Sequence, residues 1–295
     1  MKEAGECLNA ANRLFKVAVL VFVAAALCFN AFAEQAGKVK EITPRFRRHV
    51  TEYYKHNTDA VGWLNVPGTN ISDVVAQNPP NNNAFYLTHD FFGRPDRDGI
   101  FAADRRCSLI RGGELSRNTT IYGHTWDEDP HGNLFHQLKR FQDPNFAKDH
   151  PYIFFSTEDK DMAFEIFAVY YTTTDLPYII PDLSWGRFAS VIQVAFASSL
   201  YNYGIPVNKT DKVLTLSTCT YDVPGVGRLS VNVPNKYRFV IMAKLVDGES
   251  PRKEKASIKL NKNIMPVHSQ PTIIRDDPEF LRILESYRAS ITNSK

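Results

Sequence analysis

Val213-Leu214-Thr215-Leu216-Ser217-Thr218-Cys219 is an apolar run that ends in a thiol. A short run of this composition predicts a buried β-strand with the cysteine at its end. Two other segments place reactive groups at strand ends. Tyr122-Gly123-His124-Thr125 ends a predicted strand with an imidazole, and Lys236-Tyr237-Arg238-Phe239-Val240-Ile241 begins one with a guanidinium. The chain is therefore predicted to carry three chemically active side chains at strand ends.

Cys219, His124 and Arg238 together predict a thiol active site, with a nucleophile, an acid/base and a fixed positive charge for an oxyanion. A thiol attacks a carbonyl as the thiolate, and a nearby imidazole promotes its ionisation and then protonates the leaving amine. Taken singly, each residue has a plainer interpretation. A strand cysteine is usually a small buried hydrophobe, a histidine beside glycine is a turn residue, and an arginine at a strand start is solvated.

The surrounding residues favour the active-site interpretation. YGH, TLSTC and RFVIMAKL, in this order, resemble the sortases, the cysteine transpeptidases of Gram-positive cell surfaces. Three further segments resemble class B sortases in particular: VGWLNVPGTNI from Val61, FYLTHDFFG from Phe85 and NTTI from Asn118. The resemblance extends from Asn57 to Val246. It implies a mainly β fold with peripheral helices: a sortase-like closed eight-stranded β-barrel, an N-terminal helix and a helix in the long loop before the cysteine strand.

The resemblance also implies a reaction. The chain would cleave a C-terminal sorting signal after Thr, through an acyl-thioester on Cys219, and transfer the protein to an amine of peptidoglycan. Ser217, Tyr122 and Thr218 would bind the substrate, and no cofactor or metal is implied. The partners would be surface proteins or pilins with a sorting signal, the amine nucleophile and the cell membrane. Two alternatives stay open: a pilin-polymerising sortase that transfers to a Lys amine, and a non-enzymatic domain that binds cell-wall peptides.

The position of the arginine departs from the family pattern. In class B relatives the arginine usually stands closer behind the cysteine, whereas Arg238 is nineteen residues after Cys219 and Arg228 is nine. We favour Arg238 because Phe239–Leu245 matches the strand of the family. Val223–Asn235 then forms a longer loop beside the site.

Other catalytic and metal sites fit the sequence less well. Papain-like peptidases carry the cysteine before the histidine, and here that order is reversed. An L,D-transpeptidase would need a Ser-x-Gly-Cys-type motif, which is absent. His131 and His136 stand near three acidic residues, but their spacing matches no standard metal site.

Length and composition agree with an exported globular protein. The 295 residues suffice for one large domain with appendages, and a net charge of +3 gives no reason to expect nucleic-acid binding. The cysteines are Cys7, Cys28, Cys107 and Cys219. A disulfide between the last two would consume the nucleophile, so both are predicted to be free thiols. No C-x-x-C motif indicates structural zinc.

Short apolar segments separated by turn residues predict a closed or nearly closed β-barrel. The predicted strands are Gly62–Val66, Ile71–Ala76, Gly99–Ala102, Thr119–Tyr122, Tyr152–Ser156, Phe164–Thr173, Val213–Thr218 and Phe239–Val246. Helical periodicity predicts helices over Thr43–His56, Asn133–Arg140 and Ser184–Leu200.

The N-terminal segment has the features of a signal peptide or a membrane anchor. Val17–Phe29 is an unbroken apolar run, and Ala31-Phe32-Ala33 resembles a signal-peptidase site. Phe15–Ala33 as a helix would span roughly 28 Å, near the ~30 Å of a bilayer core. A cleaved signal peptide and a retained anchor both fit, and the sortase resemblance favours the anchor.

These features predict four regions. Residues 1–34 form a cytoplasmic stub and transmembrane signal anchor, 35–60 a helical linker, and 61–248 the catalytic barrel. Residues 249–295 form a tail with an amphipathic helix that begins near Asp277, where Asp-Pro is a helix-start signal. The chain is predicted to cross the cell membrane once, with the catalytic domain outside.

Overall fold

The computed structural model describes residues 45–109, 114–230, 235–246 and 253–271. The strands are β1 Ala60–Asn65, β2 Ser72–Gln77, β3 Phe101–Ala103, β4 Asn118–Tyr122, β5 Tyr152–Ser156, β6 Asp161–Thr173, β7 Tyr201–Asn202, β8 Val213–Cys219, β9 Asp222–Val223, β10 Gly227–Arg228, β11 Tyr237–Val246 and β12 Lys259–Leu260. The helices are α1 Arg47–Tyr54, α2 Pro144–Asp149 and α3 Trp185–Ser198. Three 3₁₀ helices cover Phe85–Leu87, Leu134–Gln142 and Val267–Ser269.

Eight of these strands close into a barrel in the order β1-β2-β3-β4-β8-β11-β6-β5. Most neighbours are antiparallel, whereas β2 pairs with β3 and β4 with β8 in parallel. The prediction of a mainly β fold with a closed eight-stranded barrel is confirmed. All eight predicted strands take part, with ends that differ by a few residues.

The two faces of the barrel wall carry different apolar clusters. Leu214 and Leu216 of β8 belong to the large core cluster with Phe239 of β11. Val213 of β8 and Val240 of β11 instead pack in the cluster that includes α3. Successive residues of a strand point to opposite faces, so odd-numbered residues of β8 and even-numbered residues of β11 share the outer face.

Helices lie around the barrel as predicted, with bounds that differ by a few residues. The predicted helix Thr43–His56 is seen as α1, whose first backbone N–H groups are bound by the carboxylate of Asp161. Ser184–Leu200 was predicted as a helix and contains α3, which packs on β6. The helix predicted over Asn133–Arg140 is a 3₁₀ helix, Leu134–Gln142.

The chain after β11 also packs on the barrel. Met265 and Val267 are buried, and β12 pairs with β7. The buried Gln270 amide donates to the Tyr171 carbonyl oxygen at 2.7 Å and to Ser198 Oγ at 2.9 Å. Residues 253–271 of the tail are thus part of the folded body.

Two predicted helices lie outside the described residues: the anchor at Phe15–Ala33 and the tail helix from Asp277. No helix among the residues that the structure describes is long and apolar enough to span a bilayer.

Candidate active site

Cys219 is the last residue of β8 and is partly exposed, unlike the buried Cys107. Two tyrosines, Tyr221 and Tyr178, lie beside the Cys219 thiol. Burial raises the pKa of Tyr221 to about 12, and the adjacent thiol acts in the same direction. Burial likewise raises the pKa of Tyr178 to about 12, again with a contribution from Cys219. Both phenols therefore stay protonated near neutral pH, and both feel the charge state of the thiol.

His124 follows β4, the strand beside β8. The two strands are parallel and in register, with Tyr122 opposite Ser217. His124 and Cys219 each stand two residues beyond this pair, so both leave the barrel at the same edge. Thr218 binds the end of β8 to the residues around His124. Its Oγ1 contacts the Gly123 carbonyl oxygen and Thr125 Oγ1, each at 2.8 Å. The residues on both sides of the imidazole are thus bound to the residue before the thiol.

The His124 ring is held in a defined tautomer and orientation. Its Nε2–H donates to the Leu87 carbonyl oxygen at 2.7 Å, because a carbonyl oxygen can only accept. Nδ1 is then the basic nitrogen of the neutral ring. The ring stacks on Trp126 with centroids 4.4 Å apart. Burial lowers the pKa of His124, although the bond to Leu87 opposes this shift, so the imidazole is mainly neutral at pH 7.

Arg238 lies directly across from Cys219 in the antiparallel pairing of β11 with β8. Both residues belong to the outer face of the wall. Arg238 Nη1 donates to the carbonyl oxygens of Asn235 at 2.7 Å and Tyr237 at 2.9 Å, which fix one side of the guanidinium. Arg228, the alternative, is exposed on the β9–β10 hairpin. Its backbone lies opposite that of Asp222 in the strand pairing.

The residues predicted to bind substrate occupy different environments. Ser217 is buried, and its Oγ is 2.8 Å from the Tyr178 hydroxyl. Tyr122 is partly exposed and donates from its hydroxyl to Asp104 Oδ2 at 2.6 Å. Thr218 is buried, and its hydroxyl is occupied by the loop of the histidine.

Several residues of this site were not predicted from the sequence. Tyr178 comes from the segment between β6 and α3 and covers Ser217, while Trp126 stacks on the imidazole. Tyr221 could have been found from the sequence, because it stands only two residues after the thiol. The Leu87 contact uses a backbone oxygen and has no sequence signature.

The comparisons with known proteins agree with this geometry. A family model described as a sortase domain matches residues 64–246. Sortase B of Listeria monocytogenes is 32% identical over 203 residues, which cover 68% of this chain and 75% of that protein. Sortase B of Staphylococcus aureus is 28% identical over 187 residues, covering 62% of this chain and 73% of that protein.

Solved structures give the same result. A Staphylococcus aureus sortase B–substrate complex superposes with a TM-score of 0.57 at 26% identity, covering 68% of this chain and 85% of that one. Clostridium perfringens sortase B gives a TM-score of 0.55 at 29% identity, covering 67% of this chain and 99% of that one. The chain therefore belongs to the sortase family, and it is a cysteine transpeptidase of class B.

Proposed function

We propose that this sortase cleaves a C-terminal sorting signal after Thr, forms an acyl-thioester on Cys219, and transfers the acyl group to an amine of peptidoglycan. The observation that carries the assignment of residues is the strand register. It puts Arg238 opposite Cys219 and brings His124 and Cys219 to one edge through the parallel pair β4–β8.

In the first half-reaction the Cys219 thiol passes its proton to Nδ1 of His124. The thiolate then attacks the carbonyl carbon of Thr, so that a C–S bond forms and the carbonyl electron pair moves onto oxygen. Arg238 stabilises this oxyanion. When the C–N bond breaks, the leaving amine takes the proton from the imidazolium, and the acyl-thioester remains.

In the second half-reaction a neutral amine attacks the thioester carbon. The amine proton passes to His124, a new amide bond forms as the C–S bond breaks, and the imidazolium returns the proton to the released Cys219 sulfur. One of the similar solved structures is a sortase B complexed with triglycine. That ligand carries an amino-terminal amine, which supports an amine acceptor from a cell-wall peptide for this chain as well.

The groove that receives the sorting signal is proposed on the outer face of β4, β8 and β11. Tyr122 would line it, and the segment that carries Tyr178 would form one side. Ser217, buried beneath the Tyr178 hydroxyl, and Thr218 stay predicted substrate-binding residues. The sortase relatives act at the Gram-positive cell surface. We propose that the predicted signal anchor in residues 1–34 keeps this domain at the outer face of the cell membrane.

The experiment that tests the function compares Cys219→Ala with Cys107→Ser. A panel of peptides carrying candidate sorting signals is incubated with each variant, and mass spectrometry detects cleaved peptide and the trapped acyl-enzyme. Burial raises the pKa of Cys107 to about 12, and its sulfur accepts the Thr120 N–H, which serine can also accept. We expect Cys219→Ala to abolish cleavage and Cys107→Ser to retain it.

Cleavage by Cys219→Ala at more than a trace would refute the proposed mechanism. An acyl group found on any other residue of the wild-type protein would do the same.

A further inference from the structure

An ion pair with a buried lysine contacts the two residues that follow the candidate nucleophile. Lys139 Nζ is 2.8 Å from Glu128 Oε2, and the lysine side chain is 1% exposed. Lysine is almost never buried this fully without a partner, because its ammonium loses hydration. The reaction proposed above uses neither residue, so this pair has no role yet.

Glu128 connects the two halves of the site. Its Oε1 accepts a hydrogen bond from Thr220 Oγ1 at 3.0 Å and another from the backbone N–H of Tyr221. These two residues directly follow Cys219, while Glu128 stands four residues after His124. One carboxylate therefore belongs to the loop of the acid/base and binds the chain that continues from the nucleophile.

Lys139 binds both the Glu128 carboxylate and the Thr220 hydroxyl beside it. Its Nζ donates to Thr220 Oγ1 at 2.6 Å and lies 4.8 Å from the centroid of the Phe239 ring. Burial lowers the pKa of Lys139, and the charge of Glu128 opposes this shift. The ammonium is thus enclosed by one carboxylate, one hydroxyl and an aromatic face.

The 3₁₀ helix Leu134–Gln142, which contains Lys139, also binds the loop of His124 at Trp126. His136, one turn earlier, accepts a hydrogen bond from the backbone N–H of Trp126 at its Nε2, at 2.8 Å. Residues three apart in a 3₁₀ helix lie on the same side. Trp126, which stacks on His124, and Glu128 are therefore both bound to the 3₁₀ helix.

We propose that Glu128 and Lys139 are positioning residues, which hold the Cys219 thiol and the His124 imidazole at their working separation. The proposal rests on the proposed function, because it assigns both reacting groups. Proton transfer and attack need geometry held within about 0.5 Å, so supporting contacts of this kind decide the rate.

A simple charge effect predicts a different outcome from positioning. If the pair acted only through its electric field on the thiolate, removal of the cation and removal of the anion would change the rate in opposite directions. If the pair positions the two groups, both removals lower the rate.

The test uses the full chain with Lys139→Met, Glu128→Gln and the double variant. The kcat and KM are measured for a sorting-signal peptide that the wild-type protein cleaves, together with the melting temperature. Ile153→Ala is the matched control, since Ile153 is fully buried in β5, outside the contacts of the ion pair and the site. It is expected to lower the melting temperature and to leave kcat unchanged.

We expect both single variants to lower kcat about tenfold or more while KM changes by less than about threefold. Glu128→Gln leaves the buried Lys139 ammonium without its carboxylate, and Lys139→Met leaves the partly buried Glu128 carboxylate without its cation, whereas the double variant leaves neither charge. The double variant should therefore recover most of the melting temperature and still show the loss in kcat.

Three results would overturn the positioning role. They are opposite effects of the two single variants, a double variant with the wild-type kcat, and a kcat loss in Ile153→Ala equal to that of Lys139→Met. Failure of the proposed function looks different, because it appears as wild-type cleavage that persists in Cys219→Ala.

Discussion

Replacing Arg238 with alanine removes the proposed oxyanion donor without altering the thiol or the imidazole. The guanidinium has five N–H donors, and Nη1 is already occupied by the carbonyl oxygens of Asn235 and Tyr237. Among the described residues Nη2 and Nε have no hydrogen-bond partner, so both can donate to the oxyanion from a side chain that lies opposite Cys219. Loss of one such preorganised donor costs on the order of 10²–10³ in turnover, or about 2.7–4 kcal/mol of transition-state stabilisation.

The same variant should affect stability much less. Arg238 is partly exposed, and its two bonds to backbone oxygens are worth roughly 1 kcal/mol each. The rate is measured as kcat/KM for peptide cleavage, with the melting temperature recorded on the same samples. A large rate loss with a small thermal shift would separate transition-state stabilisation from folding.

Two further substitutions are the controls for Arg238→Ala. Arg228→Ala changes an exposed arginine of the β9–β10 hairpin and should lower the rate by about tenfold or less, since holding a loop side chain in one geometry costs entropy. Arg238→Lys should recover little of the rate, because a point charge cannot replace a planar donor with two prongs. If Arg228→Ala were the more damaging of the two alanine variants, Arg228 would be the oxyanion residue and the reasoning from register would be refuted.

Burial lowers the pKa of His124, so the acid limb of the pH–rate profile for peptide cleavage should lie below pH 6.5. An acid limb above that value would contradict the assignment of His124 as the base. Because unfolded His124 binds a proton more readily than the folded residue, stability should fall as the pH drops from about 6.5 to the lowered pKa, and His124→Ala should flatten that slope in thermal melts. Gln270→Ala leaves the hydroxyls of Thr172 and Ser198 and the Tyr171 carbonyl oxygen without their buried partner. It should therefore destabilise the domain by about 1–3 kcal/mol while peptide cleavage stays at the wild-type rate, and an unchanged melting temperature would show that the tail does not support the barrel.

The barrel strands could be predicted because their apolar pattern is local. Val213, Leu214 and Leu216 of β8 are buried on the two faces of the wall, and they stand close together in the sequence with only Thr215 between them. The helix predicted over Ser184–Leu200 was recognisable for the same reason, since its apolar residues face the barrel at helical spacing. The motifs then placed Cys219 and His124 at strand ends, where the structure has them.

The supports of the site could not be predicted, because they depend on contacts between distant residues. Lys139 lies between Leu138 and Arg140 in an amphipathic 3₁₀ helix, and only the fold brings Thr220, 81 residues away, to its ammonium. The His124 ring binds a backbone oxygen, which any residue at position 87 would provide.

The tail illustrates a second limit of sequence reasoning. Residues 253–271 are rich in charge and lack regular periodicity, yet Met265 and Gln270 are buried against the barrel. A few scattered buried side chains in an irregular segment give no periodic signal. Their burial follows from the shape of the surface that they cover.

The parallel pairing of β4 with β8 has a consequence for the way the protein folds. The hydrogen bond from Thr218 to Gly123 closes a loop of 95 residues, and contacts this distant form slowly because loop-closure entropy must be lost first. β8 lies between β4 and β11, so the thiol meets the imidazole when β8 pairs with β4, and it meets Arg238 when β8 pairs with β11. A chain in which β4 and β8 are still unpaired carries the Cys219 thiol without its acid/base partner. We expect the reactivity of the thiol to arise with this long-range pairing and not before it.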